Sequence, residues 1–154
     1  MCVEKVVLFR VGSERFAVPV DRIQSIEKVP ELTLVPYVPA FVKGITSLRG
    51  QVIPVIDLAE RFSYVSSASD QERRMLVVST RDAWVGLLVD AAQDVIDVQD
   101  DARRPAPRVG LALKREFLLG VLQQEEQLIM ILDLDALFTD EEKNAVLSGM
   151  EQSK

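Results

Sequence analysis

Residues 41–62 read FVKGITSLRGQVIPVIDLAERF, and residues 117–138 read FLLGVLQQEEQLIMILDLDALF. Shifted by 76, they match at Phe41/Phe117, Gly44/Gly120, Gln51/Gln127, Ile53/Ile129, Asp57/Asp133, Leu58/Leu134 and Phe62/Phe138. In each, an apolar run, a polar turn and a second apolar run end at an aspartate followed by a short helical pattern. This predicts a hairpin whose second strand enters a turn capped by Asp57 or Asp133. Toward the N-terminus, residues 6–29 lie over residues 75–98 with a shift of 69, matching Val20/Val89, Asp21/Asp90, Gln24/Gln93 and Val29/Val98. A two-part strand unit therefore occurs twice. The difference of 7 between the shifts falls in the connection DDARRPAPRVGLALKR, residues 100–115. Duplication predicts two similar lobes and a seam, and seams are where ligands and partners bind.

The remaining segments fit a mainly β chain. KVVLFRVGSERFAVPV (5–20) reads as a hairpin turning at Gly12-Ser13, and RMLVVSTRDAWVGLLV (74–89) repeats the plan with Arg81-Asp82 at the turn. Pro19 belongs at a strand end, because it cannot donate to a ladder. In DRIQSIEKV, Asp21 is positioned to cap one turn, after which Ile23, Ser25 and Glu27 share a strand face. The alternation leaves Ile23 between core and seam. Pro30, Pro36 and Pro39 hold the next connection extended. The polar stretch 63–71 reads as a linker, and Thr139 three residues before Glu142 predicts a capped C-terminal helix from 139 that gives way to a frayed tail after about Gly149.

Composition narrows function. With 154 residues, 48% of them hydrophobic, the chain can form one good core or two small ones sharing a wall. Eighteen basic against 24 acidic residues give a net charge of -6, which argues against general nucleic-acid binding. There is no histidine, and the only cysteine is Cys2, which removes Cys/His and Ser/His/Asp relays, most zinc sites and any disulfide within the chain. A reducing, cytoplasmic setting fits. The most apolar run, QLIMILDLDALF, is broken by Asp133 and Asp135 and is far shorter than the roughly 20 residues a membrane helix needs. No cofactor, metal site or membrane insertion is expected.

Residues that recur read as scaffold, which weighs against Asp57 and Asp133 as a catalytic pair. Positions that do not recur point elsewhere. Ser47-Leu48-Arg49-Gly50 in the first copy is replaced by Gln123-Gln124-Glu125-Glu126 in the second, so folding does not require Arg49. A solvated turn arginine is its plain reading; a partner contact is the functional one. Gly44 recurs as Gly120, so its expected job is conformational, a positive φ or a close backbone approach. Arg103, Arg104 and Arg108, in the connection with Pro105 and Pro107, form the densest positive patch and read first as a stiff solvated loop. Trp84 reads as a core or lobe-wall residue.

The stretch FVKGITSLRGQVIPVIDLAERF, with Gly44, Leu48-Arg49-Gly50, Pro54-Val55 and Asp57-Leu58, resembles the signature of CheW-type chemotaxis coupling proteins. The similarity continues through residues 9–29 and 85–98, RPAP at 104–107 and FLLGV at 117–121. The resemblance implies two SH3-like five-stranded β-barrels, approximately residues 1–62 and 72–138 with exchange of strands between them left open. It implies a non-catalytic adaptor bridging the cytoplasmic tip of chemoreceptors to the regulatory domain of the histidine kinase CheA, in membrane-associated arrays. It places receptor contacts at Ile23, Gly44 and Val95, with Ser25 beside them and Arg49-Gly50 in the coupling loop. Ser25 stands where many family members carry an acid, which affects partner choice or on-rate more than affinity. An adaptor of a pathway with another output, such as pili-based motility, is the alternative.

Overall fold

The computed structural model describes residues 3–36, 38–62, 64, 69, 71–80, 83–99, 103–105, 117–124, 127–137 and 142. Its apolar runs form strands β1 (Val3–Val11), β2 (Glu14–Pro19), β3 (Ile23–Lys28), β4 (Val42–Leu48), β5 (Gln51–Asp57), β6 (Arg74–Ser79), β7 (Trp84–Val89), β8 (Ala91–Gln99), β9 (Arg103–Arg104), β10 (Leu118–Gln124) and β11 (Gln127–Leu132). One short helix, α1 (Leu58–Arg61), follows β5, and a single 3-10 turn, Leu134–Ala136, takes its place after β11. Both start as predicted. The Asp57 carboxylate accepts from the Ala59 amide at 3.0 Å, and that of Asp133 from the Asp135 amide at 3.1 Å.

The strands form two sheets, ordered β8-β1-β2-β11-β10-β9 and β3-β6-β7-β5-β4. The shifts of 69 and 76 carry β8, β1, β2, β11 and β10 onto β3, β6, β7, β5 and β4, so five strands of the first sheet follow the order of the second. The duplication is thus a duplication of architecture. Neither sheet follows the division 1–62 and 72–138. One lobe is built from the continuous stretch 23–89, the other from 3–19 joined to 91–132. The chain starts in the middle of a lobe and returns to complete it. The joins are matching parallel ladders, Ile131 opposite Ala17 and Val55 opposite Gly86.

Irregularities also come in pairs. The β4–β5 ladder slips between Val42 and Gly44, and the β10–β11 ladder between Leu118 and Gly120. The β3–β6 ladder slips between Ile23 and Ser25, and the β1–β8 ladder between Val95 and Ala92, so the recurring Gln24 and Gln93 sit in β-bulges. The bulge at Gln24 overturns the expected single face of Ile23, Ser25 and Glu27, because an extra residue interrupts period-two alternation. Asp21 is not a cap: the 3-10 turn Val20–Arg22 has no side-chain cap hydrogen bond.

After β3 the chain returns to the outer edge of β4, where Thr33 donates to Ile45 at 2.9 Å and accepts from it at 2.8 Å. β9 repeats this on β10, with Arg104 opposite Val121. These contacts are one or two residues long. The sheets curl toward closure without the full ladders of the five-stranded barrels expected from the sequence, and the first sheet counts six strands because β9 is separate.

Three apolar clusters follow from this doubling. Val6, Leu8, Ala17, Ile129 and Ile131 fill one lobe, and their counterparts Met75, Val77, Ile53 and Val55 fill the other. The largest lies between lobes and includes Val7, Phe9, Val11, Phe16, Ile56, Leu58, Leu76 and Leu87. Strands such as β1 are buried on both faces, which is why they read as continuous apolar runs. At the interface Phe16 stacks on Phe62 at 5.4 Å, and Phe62 meets Phe117 at 5.4 Å. The Arg61 guanidinium lies 4.4 and 4.8 Å from the rings of the recurring Phe41 and Phe117 and donates to the Leu137 carbonyl at 2.9 Å. Trp84 packs on the wall of the second lobe. The Arg81-Asp82 turn, most of the linker 63–71 and of the connection 100–115, and the expected helix and tail 139–154 apart from Glu142 lie outside the described residues.

Candidate functional site

β3 and β8 are the edge strands at which the two lobes meet, and equivalent residues on them flank a groove of about 470 Å³. It is lined by Val7, Ile26, Arg74, Ala92, Asp94 and Val95. Ile26 and Val95 correspond under the shift of 69, and both stay exposed, at 45% and 58%. Two apolar side chains at equivalent places on one groove are a patch that folding alone leaves uncovered. The ladders explain their direction. Val95 is opposite Val7 and Ile26 opposite Leu76, so each projects from its sheet on the groove side, outside the buried partner.

The expected contact residues are distributed more widely than one site. Val95 lies in the groove. Ile23 is half-buried and packs against the interlobe core, so it supports the groove from behind. Ser25 is half-buried opposite Val77, and its Oγ is buried with no hydrogen-bond partner among the described residues. Gly44 is on β4, at the other side of the second lobe. Both explanations offered for it hold there: φ is 152°, and a Cβ would lie 2.5 Å from the Thr33 carbonyl oxygen. Arg49 and Gly50 form the β4–β5 hairpin tip with φ of 51° and 81°, the geometry of a two-residue primed turn. Arg49 is exposed and, among the described residues, is the one non-glycine with positive φ.

Ile26, Arg74 and Asp94 were not singled out from the sequence. For Ile26 the signal was available, since the repeat places it on Val95; assuming unbroken alternation through Gln24 turned it the wrong way. Another missed residue is Arg73. Its guanidinium lies 2.9 Å from an Asp57 oxygen and 4.0 Å from one of Asp90, a fully buried residue whose other oxygen accepts from the Gly12 amide at 2.8 Å. Asp57 thus caps α1 and pairs with Arg73, while Asp90 ties the β1–β2 turn to the β7–β8 junction. Nearby, Lys43 pairs with Glu60. These carboxylates are engaged in structure. Among the described residues no group of three or more His, Cys, Asp and Glu could hold a metal ion, and no helix is long and apolar enough to cross a membrane.

A two-lobed β scaffold whose buried carboxylates Asp57 and Asp90 are engaged in structure, and which sets the exposed apolar pair Ile26 and Val95 on a groove at the seam, has the features of a docking protein. The chain belongs to the CheW family of chemotaxis coupling proteins: the CheW-like domain matches residues 5–142. It is 33% identical over 141 residues to the probable chemotaxis protein CheW of Rhizobium etli, covering 92% of this chain and 91% of that one. It is also 31% identical over 122 residues to Protein PilI of Pseudomonas aeruginosa, covering 77% and 66%. Its fold superposes on the crystal structure of the scaffolding protein TtCheW from Thermoanaerobacter tengcongensis with a TM-score of 0.85, at 29% identity and 92% coverage of each chain.

Proposed function

We infer that this chain is a non-catalytic cytoplasmic adaptor that couples the cytoplasmic tip of chemoreceptors to the regulatory domain of CheA within membrane-associated arrays. The observation that carries the reading is the pair of exposed, repeat-related side chains Ile26 and Val95 on the seam groove. A receptor helix lays its apolar stripe there. The kinase domain takes the first-copy hairpin carrying Arg49 and Gly50, where the two copies differ. Ile23 and Ser25 back the receptor groove, and Gly44 holds the neighbouring connection in place. Reconstitution of the purified chain with receptor tips and CheA tests this: co-sedimentation and receptor control of kinase activity are expected, and absence of both overturns it. The similarity to Protein PilI supports a second reading, the same adaptor chemistry in a pathway with another output such as pili-based motility. Deletion in the native cell, scored for swimming and for surface motility, separates the two.

A further inference from the structure

The seam groove pairs equivalent apolar residues on its two walls but differs in charge between them. Its apolar members correspond across the repeat, Ile26 with Val95 and Leu76 with Val7, and directly beside them the ladders set a second pair of equivalent cross-strand pairs. On the β3 wall Lys28 is opposite Arg74; on the β8 wall Asp97 is opposite Lys5. Residues directly opposite each other in a ladder project on the same face, so both pairs border the groove. One wall carries two like charges, and the other a compensated pair plus Asp94, which also lines the groove.

Folding does not favour this difference. Like charges directly opposite one another are unfavourable in a sheet, whereas the counterpart on the other wall is a favourable pairing. Arg74 Nη1 is held by the carbonyls of Gln71 and Arg73 at 2.9 and 2.8 Å, which fixes the cation at the rim without neutralising it. Among the described residues neither Lys28 nor Arg74 forms an ion pair. An acidic side chain on a docked partner would relieve the repulsion, and a basic one would meet Asp94 on the opposite wall.

We propose that Lys28 and Arg74 read an acidic residue, and Asp94 and Asp97 a basic one, on an amphipathic partner helix whose apolar stripe covers Ile26 and Val95. The charges thereby select one of the docking directions that a groove with equivalent apolar residues on its two walls would otherwise accept. This rests on the reading of the groove as the receptor site and adds its polarity. Electrostatic complementarity of this kind sets orientation and partner choice more than raw affinity.

The probe is a synthetic amphipathic helix of about 18 residues, about 27 Å long at 1.5 Å per residue. It carries glutamates on one end, lysines on the other, two leucines one turn apart and a nitroxide at the glutamate end. With isotope-labelled full chain, the label broadens the amide signals of Lys28 and Arg74 more than those of Asp94 and Asp97. In the doubly substituted chain Lys28→Asp, Asp97→Lys, whose net charge is unchanged, the broadening moves to β8. Equal broadening of both walls, broadening indifferent to the exchange, or failure of the peptide to bind overturns the proposal. A separate arm measures receptor-tip binding by Val95→Arg. If that binding is undiminished the groove reading itself falls, whereas its loss, with a label that ignores the charge exchange, removes only the polarity.

Discussion

A Cβ placed on Gly44 would lie 2.5 Å from the carbonyl oxygen of Thr33, and one on Gly120 would lie 2.7 Å from that of Arg104. The two glycines recur because in each lobe the connection that returns to the outer hairpin passes directly over them. Thr33 cannot yield freely, since the same carbonyl accepts from the Ile45 amide at 2.8 Å. Gly44→Ala is therefore expected to destabilise by about 2 kcal/mol or more, combining overpacking with a φ that L-residues avoid. Gly50 has φ of 81° but open space around it, so Gly50→Ala is expected to cost about 1 kcal/mol from conformation alone. Urea unfolding of the two variants checks the difference; equal losses would discount the contact with Thr33.

Arg49 occupies the first central position of a turn that prefers Asn or Gly. Arg49→Asn is expected to stabilise the chain by about 0.5 kcal/mol, since Asn tolerates the left-handed region better than a long side chain does. The same substitution is expected to weaken CheA coupling, which a kinase assay with receptor tips reads. A gain in stability accompanied by unchanged coupling would show that the strained arginine serves no partner.

How far these features were legible depended on whether their cause was local. The capped turns at Asp57 and Asp133 and the turn at Gly12 follow from neighbouring residues and fold as the sequence predicts. The recurrence of Gly44 as Gly120 correctly signalled a backbone demand, though not which carbonyl made it. Lobe membership was not legible, because β2 and β11 join through a parallel ladder between residues more than a hundred positions apart. The bulge at Gln24 belongs to the pairing of β3 with β6, so Ile26 could be turned outward only by comparing the copies or by the fold itself. The ties from Arg73 to Asp57 and Asp90 likewise cross from one element to others distant in sequence.

Ile26 and Val95 protrude into solvent, so a charge on either should leave the fold nearly unaffected. Ile26→Arg and Val95→Arg are expected to change unfolding free energy by no more than about 0.5 kcal/mol. Each is expected to weaken binding of a receptor tip by about tenfold or more, since a desolvated apolar contact is replaced by a charge. Ile23→Arg gives the contrast: packed on the interlobe core, it should lose stability first. Calorimetric titration beside denaturant melts distinguishes the classes. Parallel loss of stability in all three would assign Ile26 and Val95 to the core.

Tyr64 lies against Phe16 and Phe62, with ring centroids at 6.3 and 6.1 Å. Burial raises its phenol above the ordinary value of 10.0, and the charge of Glu14 raises it further. The folded state therefore favours the neutral phenol. The stability this contributes is complete below the unfolded value and is lost as pH rises through the folded one. Tyr64→Phe has no proton to lose. Its Tm is expected to fall less than the parent's when pH is raised from about 9 to about 11, and identical slopes would refute the coupling.

Arg73 supplies the cation beside two carboxylates that have other structural work, Asp57 capping α1 and Asp90 holding the Gly12 amide. Its side chain and that of Asp57 are only 13% and 12% exposed, so removing the cation leaves negative charge in a poorly solvated place. Arg73→Met keeps most of the aliphatic length and is expected to cost about 3 kcal/mol, in the range for breaking a buried pair from one side. Adding Asp57→Asn to that variant removes one stranded charge while keeping an acceptor for the Ala59 amide. The double variant is therefore expected to be more stable than Arg73→Met alone. A double-mutant cycle in urea measures this coupling; strictly additive losses would mean that Arg73 acts through its packing and not through its charge.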